Sequence, residues 1–354
     1  MTFINFPIIF NLFESLFSAS KLRIAALFFL TTPFLNIYSK DNNHNSKDIL
    51  QLEKKIILPN VTGRISQLAY DSKRQLLYFV AQENNSIGII NLLNYSIKKP
   101  ITSIQKPKEI CYINELDKLL VTSGTTGQYF VINANDITSI QSFNIGSKPN
   151  FIKYDTISKR IYVGYGNGFI NEIDPNTFEN MAEYKLDGYP EEFLFHENGN
   201  KIFVNVPSML HFEVIDKTKG KVVLKVKISG ATNNFSMAVD TKNRRLFVGC
   251  QSPSKIVIFD TETCRQLTSF DCDGDPNSMY FDPKKLRLYV SCGAGFIDIF
   301  EQTTGDEFKL IEKRATRNGA KISIYIPGKD LFLVAIPSTL NKPAEINVFS
   351  INQP

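Results

Sequence analysis

An internal repeat of about forty-two residues constrains this chain more than any other feature. Its short apolar segments RQLLYFVAQ, DKLLVTSG, KRIYVGYG, NKIFVNVP, RRLFVGCQ, LRLYVSCG and KDLFLVAI are seven versions of one element. Aligned on Tyr78, Val121, Tyr162, Phe203, Phe247, Tyr289 and Phe332, they recur every 41 to 44 residues. Seven residues before each stands Asp71, Asn114, Asp155, His196, Asp240, Asp282 or Tyr325. A second marker follows the first six: Asn91, Asn133, Asp174, Asp216, Asp260 or Glu301.

Each unit opens with an alternating strand such as ISQLAY or FSMAVD that ends at the Asp-type marker. An Asp or Asn there accepts backbone hydrogen bonds two residues on and starts the turn into the second strand. A third strand (IGIINL, KIVIFD), a turn such as DPNTF and a fourth strand follow. Four short strands per repeat, with no helix-period segment, predict an all-β, seven-bladed β-propeller with four antiparallel strands per blade. The seventh unit stops at Pro354 one strand short, while LEKKIILP (52–59) precedes the first. Donating that strand to blade seven closes the ring and removes two exposed edges.

A unit of G-x-P-x-x, strand, polar turn, aromatic-Val strand and Asp-ended third strand resembles the YVTN-repeat propellers, the YncE-like and surface-layer-like branch of the WD40/YVTN seven-bladed group. KRIYVGYGNGFINEIDPNTFE, RRLFVGCQSPSKIVIFDTET and LRLYVSCGAGFIDIFEQTTG carry it best, and it extends over about residues 50–354. The resemblance implies a fold; its matched residues are turn and core positions and imply no activity. With no Trp in the chain, the WD dipeptide, the quinoprotein docking repeat and the sialidase Asp-box are all excluded.

Lys21 and Arg23 precede IAALFFLTTPFL (24–35), and a polar stretch follows. This order predicts a signal peptide over residues 1–39, cleaved near Lys40, with an uncleaved N-terminal anchor through 22–38 as the alternative. A polar linker (40–48) and the propeller domain (49–354) complete the chain. The expected compartment is periplasmic or extracellular.

Little in the chain suggests chemistry. The histidines, His44, His196 and His211, show no metal-ligand spacing and no general-base setting, so no metal, cofactor or catalytic residue is expected. Cys250 and Cys292 occupy one structural position in successive units, beyond disulfide reach of each other across blades. A Cys264–Cys272 bridge would need the intervening strand to bend back. Asp271, Asp273 and Asp275 fail the EF-hand pattern and align with ordinary interblade turns. The net charge of +5, without a basic block, argues against a dedicated polyanion binder. Asn60, Asn84, Asn94 and Asn234 head glycosylation sequons.

Propeller geometry puts the turn entering each inner strand, and the connection between strands two and three, on one face. The expected ligand-binding residues there are Arg64, Lys108, Asn150, Tyr165, Glu191, Glu192, Asn234, Asn277 and Lys321, with Glu109 beside them. Three readings follow. The first is an exported, non-catalytic binding or scaffold propeller, monomeric, that recognises a protein, glycan or small polar ligand. The second is a lactonase- or lyase-type enzyme with Glu191 and Glu192 as its adjacent acids. The third is a nucleic-acid binder, which Glu191 and Glu192 disfavour by interrupting Arg64, Lys108 and Lys321. Membrane contact is expected only through an uncleaved amino terminus.

Overall fold

A computed structural model describes residues 48–352; the expected signal or anchor, His44 and nearly all of the linker lie outside the described residues. Among the described residues, twenty-eight strands form seven four-stranded antiparallel sheets, and helix is limited to three single 3-10 turns. The inner strands are Ile65–Asp71, Pro107–Ile113, Ile152–Asp155, Phe193–Phe195, Thr232–Asp240, Pro276–Asp282 and Ile322–Ile326. These meet their neighbours around a central channel. Second strands such as Leu76–Ala81 and Arg287–Cys292 are buried throughout, whereas the outer strand Ser96–Ile101 is exposed in all but its last residue.

This gradient arises because apolar residues on both faces of the middle strands pack between sheets. Seven apolar layers result, each built from two adjacent blades. Tyr78, Val80 and Ile89 of blade one pack on Ile110, Leu119 and Ile132 of blade two. Phe212 and Val214 of blade four pack on Leu246, Val248 and Phe259 of blade five.

Closure follows the expected route. Leu50–Leu58 pairs antiparallel with Ala344–Ile351 as the outer strand of the seventh sheet, from Leu50 opposite Ile351 to Leu58 opposite Ala344. A bulge between Leu52 and Lys54 lets the strand serve two layers. Leu50 packs between blades six and seven, and Ile56 and Leu58 between blades seven and one.

The turn markers act as expected in most blades. Asp71 Oδ1 accepts the Lys73 and Arg74 amides at 2.9 and 3.0 Å, and Asp282 Oδ1 accepts those of Lys284 and Lys285 at 2.9 and 3.2 Å. In blade four the His196 ring substitutes, its Nδ1 accepting the Asn198 amide at 3.3 Å.

Blades two and seven depart from the expected alignment by one residue. Asp71, Asp155, Asp240 and Asp282 pair with Leu76, Arg160, Arg245 and Arg287 across four-residue turns. The matching pairs in blades two and seven are Ile113 with Lys118 and Ile326 with Leu331. The equivalents of Tyr78 there are therefore Leu120 and Leu333, not Val121 and Phe332. A one-residue slip exchanges the two faces of a strand. Leu120 and Leu333 accordingly face the following blade as Tyr78 does, while Val121 and Phe332 face the preceding one.

Two outcomes test this architecture. Deleting residues 50–58 should abolish cooperative thermal unfolding, because the loss opens two apolar layers and a strand edge; a cooperative melt in the truncated chain would contradict the closure. Asp282→Ala should cost about 1 kcal/mol in denaturant titration, since two turn amides lose the acceptor that the buried carboxylate gives them, whereas Asn114→Ala, off the marker position, should cost less than about 0.5 kcal/mol.

Candidate functional site

Hydrogen bonds that cross from blade to blade fix the channel wall. Ser66 Oγ donates to Lys108 O at 2.7 Å, Thr122 Oγ1 to Asn150 O at 2.9 Å, and Asn150 Nδ2 to Pro190 O at 3.1 Å. Ser236 Oγ donates to Pro276 O at 3.3 Å, and the Ser278 amide to Lys321 O at 3.2 Å. Each bond holds the entering turn of one inner strand against its neighbour. Side chains from all seven turns consequently converge on one cavity of about 360 Å³ at the channel mouth.

Arg64, Lys108 and Lys321 line that cavity with Glu109, Glu191 and Glu192, and with Asn150, Asn277, Phe151 and Phe235. The charges are unevenly matched. Glu192 accepts Lys153 Nζ at 2.7 Å and the Met237 amide at 2.9 Å. Lys321 Nζ pairs with Asp275 at 2.8 Å. By contrast Arg64 reaches only the amide oxygen of Gln82, at 3.3 Å, and Lys108 only the Tyr189 hydroxyl, at 3.0 Å. Among the described residues neither cation has a carboxylate within ion-pair distance.

Burial perturbs the groups between them. It pushes the Glu109 carboxyl up to about 8, against the opposing hydrogen bond from the Gln67 amide. Burial also raises Glu191, opposed by Asn150 Nδ2 at 3.1 Å, and lowers the Lys108 ammonium. With Glu109 protonated at neutral pH, the lining's basic residues Arg64, Lys108 and Lys321 outnumber its remaining acids, Glu191 and Glu192. The cavity can thus take an anionic group while keeping amides and a neutral carboxyl for neighbouring hydroxyls or amines.

Seven of the nine expected residues line this cavity: Arg64, Lys108, Asn150, Glu191, Glu192, Asn277 and Lys321. Tyr165 and Asn234 do not. The Tyr165 ring stacks on Phe169 with centroids 5.4 Å apart, in the layer between blades two and three, and its hydroxyl bonds the Glu183 carboxylate. Asn234 is fully buried behind the wall, where its Nδ2 donates to Asn205 Oδ1 at 2.6 Å and His211 O at 3.0 Å. A bulge between Asn234 and Ser236 turns Phe235 into the channel instead. That burial also removes Asn234 as an accessible sequon. The same bulge stands at Lys108 and Asn277, so Phe235 is their counterpart and Asn234 aligns with Pro107 and Pro276.

All five cysteines are free, and Cys250 and Cys292 are buried in successive layers at equivalent positions. Asp271, Asp273 and Asp275 do not converge; they pair separately with Lys255, Lys313 and Lys321. His211 sits apart from the channel against Glu213 and Asp187, a grouping that its position in the sequence concealed.

No family model and no curated protein matches the chain. Among solved structures, a chain of the Kuenenia stuttgartiensis hydrazine synthase is similar at TM-score 0.70 and 16% identity, over 85% of this chain and 100% of that one. The likeness supports the propeller fold. Among the described residues no helix is long and apolar enough to cross a membrane.

Glu109 provides a test through linkage. Its folded value lies near 8 against an ordinary 4.5, so between those values the folded chain holds a proton that the unfolded chain has lost. Stability should therefore fall as pH rises through this window, with a slope of up to ~1.4 kcal/mol per pH unit. Urea titrations across the window should show that component disappear in Glu109→Gln; identical slopes would contradict the buried, protonated carboxyl.

Proposed function

We propose that this chain is an exported, non-catalytic binding propeller of the YVTN-repeat type. Its ligand carries an anionic group and is a small polar molecule or the exposed end of a protein or glycan segment. The observation that carries the reading is the pair Arg64 and Lys108, neighbouring cations without carboxylate partners beside a polar cavity. Lysine and arginine left unpaired in a concave site supply charge-assisted hydrogen bonds to an incoming carboxylate or phosphate. The amides of Asn150 and Asn277 and the faces of Phe151 and Phe235 surround that point with groups that suit a sugar ring or peptide. The repeat pattern supports the YVTN reading, the apolar run after Lys21 and Arg23 supports export, and the Glu191 and Glu192 carboxylates disfavour nucleic acid.

One observation favours a second reading. Glu109, Glu191 and Lys108 are displaced from their ordinary values within one cavity, as acid–base pairs in enzymes are. Both carboxyls fit a lyase or lactonase in which one stays protonated.

A thermal-shift screen of sugar acids, peptidoglycan-like fragments and short peptides, followed by calorimetry on the hits, tests the first reading. Arg64→Ala and Lys108→Ala should each weaken binding about tenfold to a hundredfold, the loss of a charge-assisted bond of ~1.5–3 kcal/mol. Stability should change by no more than about 0.5 kcal/mol in the exposed Arg64 variant. Hits insensitive to both changes but lost on altering Lys159 or Lys242, on the opposite face, would refute this site. Turnover of a hit that vanishes in Glu109→Gln would establish the second reading instead. Export is tested by sequencing the mature amino terminus, expected near Lys40.

A further inference from the structure

One position on the third strand behaves unlike the rest of the repeat. Opposite Phe79, Val121, Val163, Val204, Val248, Val290 and Val334 stand Gly88, Phe130, Asn171, Glu213, Val257, Asp298 and Asn347. Four of the seven are buried polar residues inside an apolar layer, and each leaves an oxygen without a hydrogen-bond partner: Asn171 Oδ1, Glu213 Oε2, Asp298 Oδ1 and Asn347 Oδ1. A buried orphan acceptor is costly and needs a physical reason.

Blades four and six show what the position does. Glu213 Oε1 accepts the Asp187 amide at 3.1 Å, and Asp298 Oδ2 accepts the Asp273 amide at 2.8 Å. Asp187 and Asp273 both belong to the connection arriving from the preceding blade. Each then pairs with the lysine opposite the buried acid, Lys225 at 2.6 Å and Lys313 at 2.7 Å. The shared trio of linker Asp, buried acid and Lys anchors the connection. Blade four adds one thing: where blade six has Phe296, paired with Cys292, it has His211, paired with Val206.

His211 Nε2 lies 2.9 Å from Glu213 Oε1 and 3.9 Å from Asp187 Oδ2, and one ligand atom from each residue falls within 4.8 Å of the others. A tetrahedral zinc ion with bonds of roughly 2.0–2.2 Å sets its ligand atoms about 3.4 Å apart, between the two distances found. His211 and Glu213 are buried while Asp187 is exposed, so the group is held from below and open to solvent on one side. The other histidine cluster, His196 with Glu197 and Glu262, differs in chemistry. There Nδ1 accepts a backbone amide, which fixes the ring proton on Nε2 facing Glu262 and removes the free lone pair.

We propose that His211, Glu213 and Asp187 form a binding site for a divalent transition metal of the zinc class, in the seam between blades three and four. One imidazole nitrogen and two carboxylates suit Zn²⁺ or Co²⁺ rather than the all-oxygen shells of Ca²⁺ and Mg²⁺. Binding moves the ring proton from Nε2 to Nδ1, gives the Nε2 lone pair to the metal, and sets a cation against the Glu213 carboxylate, one of whose oxygens has no hydrogen-bond partner. Lys225, half in solvent, releases Asp187 and swings outward. The site is separate from the channel mouth and independent of what binds there.

The test is titration of the untagged, chelator-treated full chain with Co²⁺ and then Zn²⁺, followed by calorimetry and visible absorption. One equivalent of Co²⁺ per chain should bind with a d–d band that Zn²⁺ bleaches, while Ca²⁺ and Mg²⁺ leave no signal. His211→Phe, which gives blade four the residue of blade six, should fold and lose the band. Asp187→Asn should weaken binding about tenfold or more, and Lys225→Met should strengthen it by removing the competing ammonium. Glu191→Gln at the channel should leave it unchanged. Absence of stoichiometric binding in the wild type, or equal affinity in wild type, His211→Phe and Asp187→Asn, would overturn the proposal.

Discussion

No blade of this protein has a core of its own. Every apolar layer is a seam shared by two blades, and every middle strand buries one face against the blade before it and one against the blade after. An isolated sheet would expose both faces, so partial assemblies gain little until the ring is whole. The contact on which the rest depends is therefore the pairing of Leu50–Leu58 with Ala344–Ile351. It joins the two ends of the described chain, and it contributes Leu50, Ile56 and Leu58 to the two seams that meet at blade seven. A contact between residues about 300 apart must form against a large loop-closure entropy, although that cost grows only slowly with length.

Closure also makes the cavity. The entering turns carry polar side chains that differ from blade to blade, and only a closed ring directs them at one point. Crossing bonds from Ser66, Thr122, Asn150 and Ser236 then fix each turn on its neighbour, so the cavity residues stand on rigid strands. The same crowding explains the displaced ionisations. Glu109 keeps one strong partner, the Gln67 amide, in a buried place where little water reaches the charge, and its carboxyl rises.

The fold was legible because the repeat states it seven times. Asp71, Asp155, Asp240 and Asp282 mark their turns in sequence as they do in space, and the missing strand of the last unit was countable. What misled was local similarity of unlike positions. Asn114 resembles the marker, but Ile113 occupies it, and the apolar runs LLV and LFLV contain nothing to show which residue faces which seam. At the mouth, the turns entering the inner strands located seven of the nine candidates and missed by one residue at Asn234, because Phe235 is the counterpart of Lys108 and Asn277; Tyr165, taken from a connection between strands two and three, has its ring against Phe169 instead. His211 was unreadable for a different reason: its partners are two and twenty-four residues away, and only the linker between blades three and four brings Asp187 over it.

The buried polar position opposite Phe79 and its equivalents shows how a repeat acquires chemistry without losing its fold. Where the residue is Gly88, the Phe79 ring fills the space a side chain would occupy, and where it is Val257 the seam stays apolar. Where it is acidic, as at Glu213 and Asp298, the side chain reaches the connection from the preceding blade and holds its amide. That anchoring role tolerates any nearby acceptor, so neither the second carboxylate oxygen nor the neighbouring Phe or His is fixed by it. The strand pairing there is set by backbone bonds, which leaves side chains at this level free to vary. The channel mouth is polar because it meets water, but at this position Asn171, Glu213, Asp298 and Asn347 are polar although buried. Such a group persists against its desolvation cost only where a partner offsets that cost, and in blade four the added imidazole is placed to share that partner.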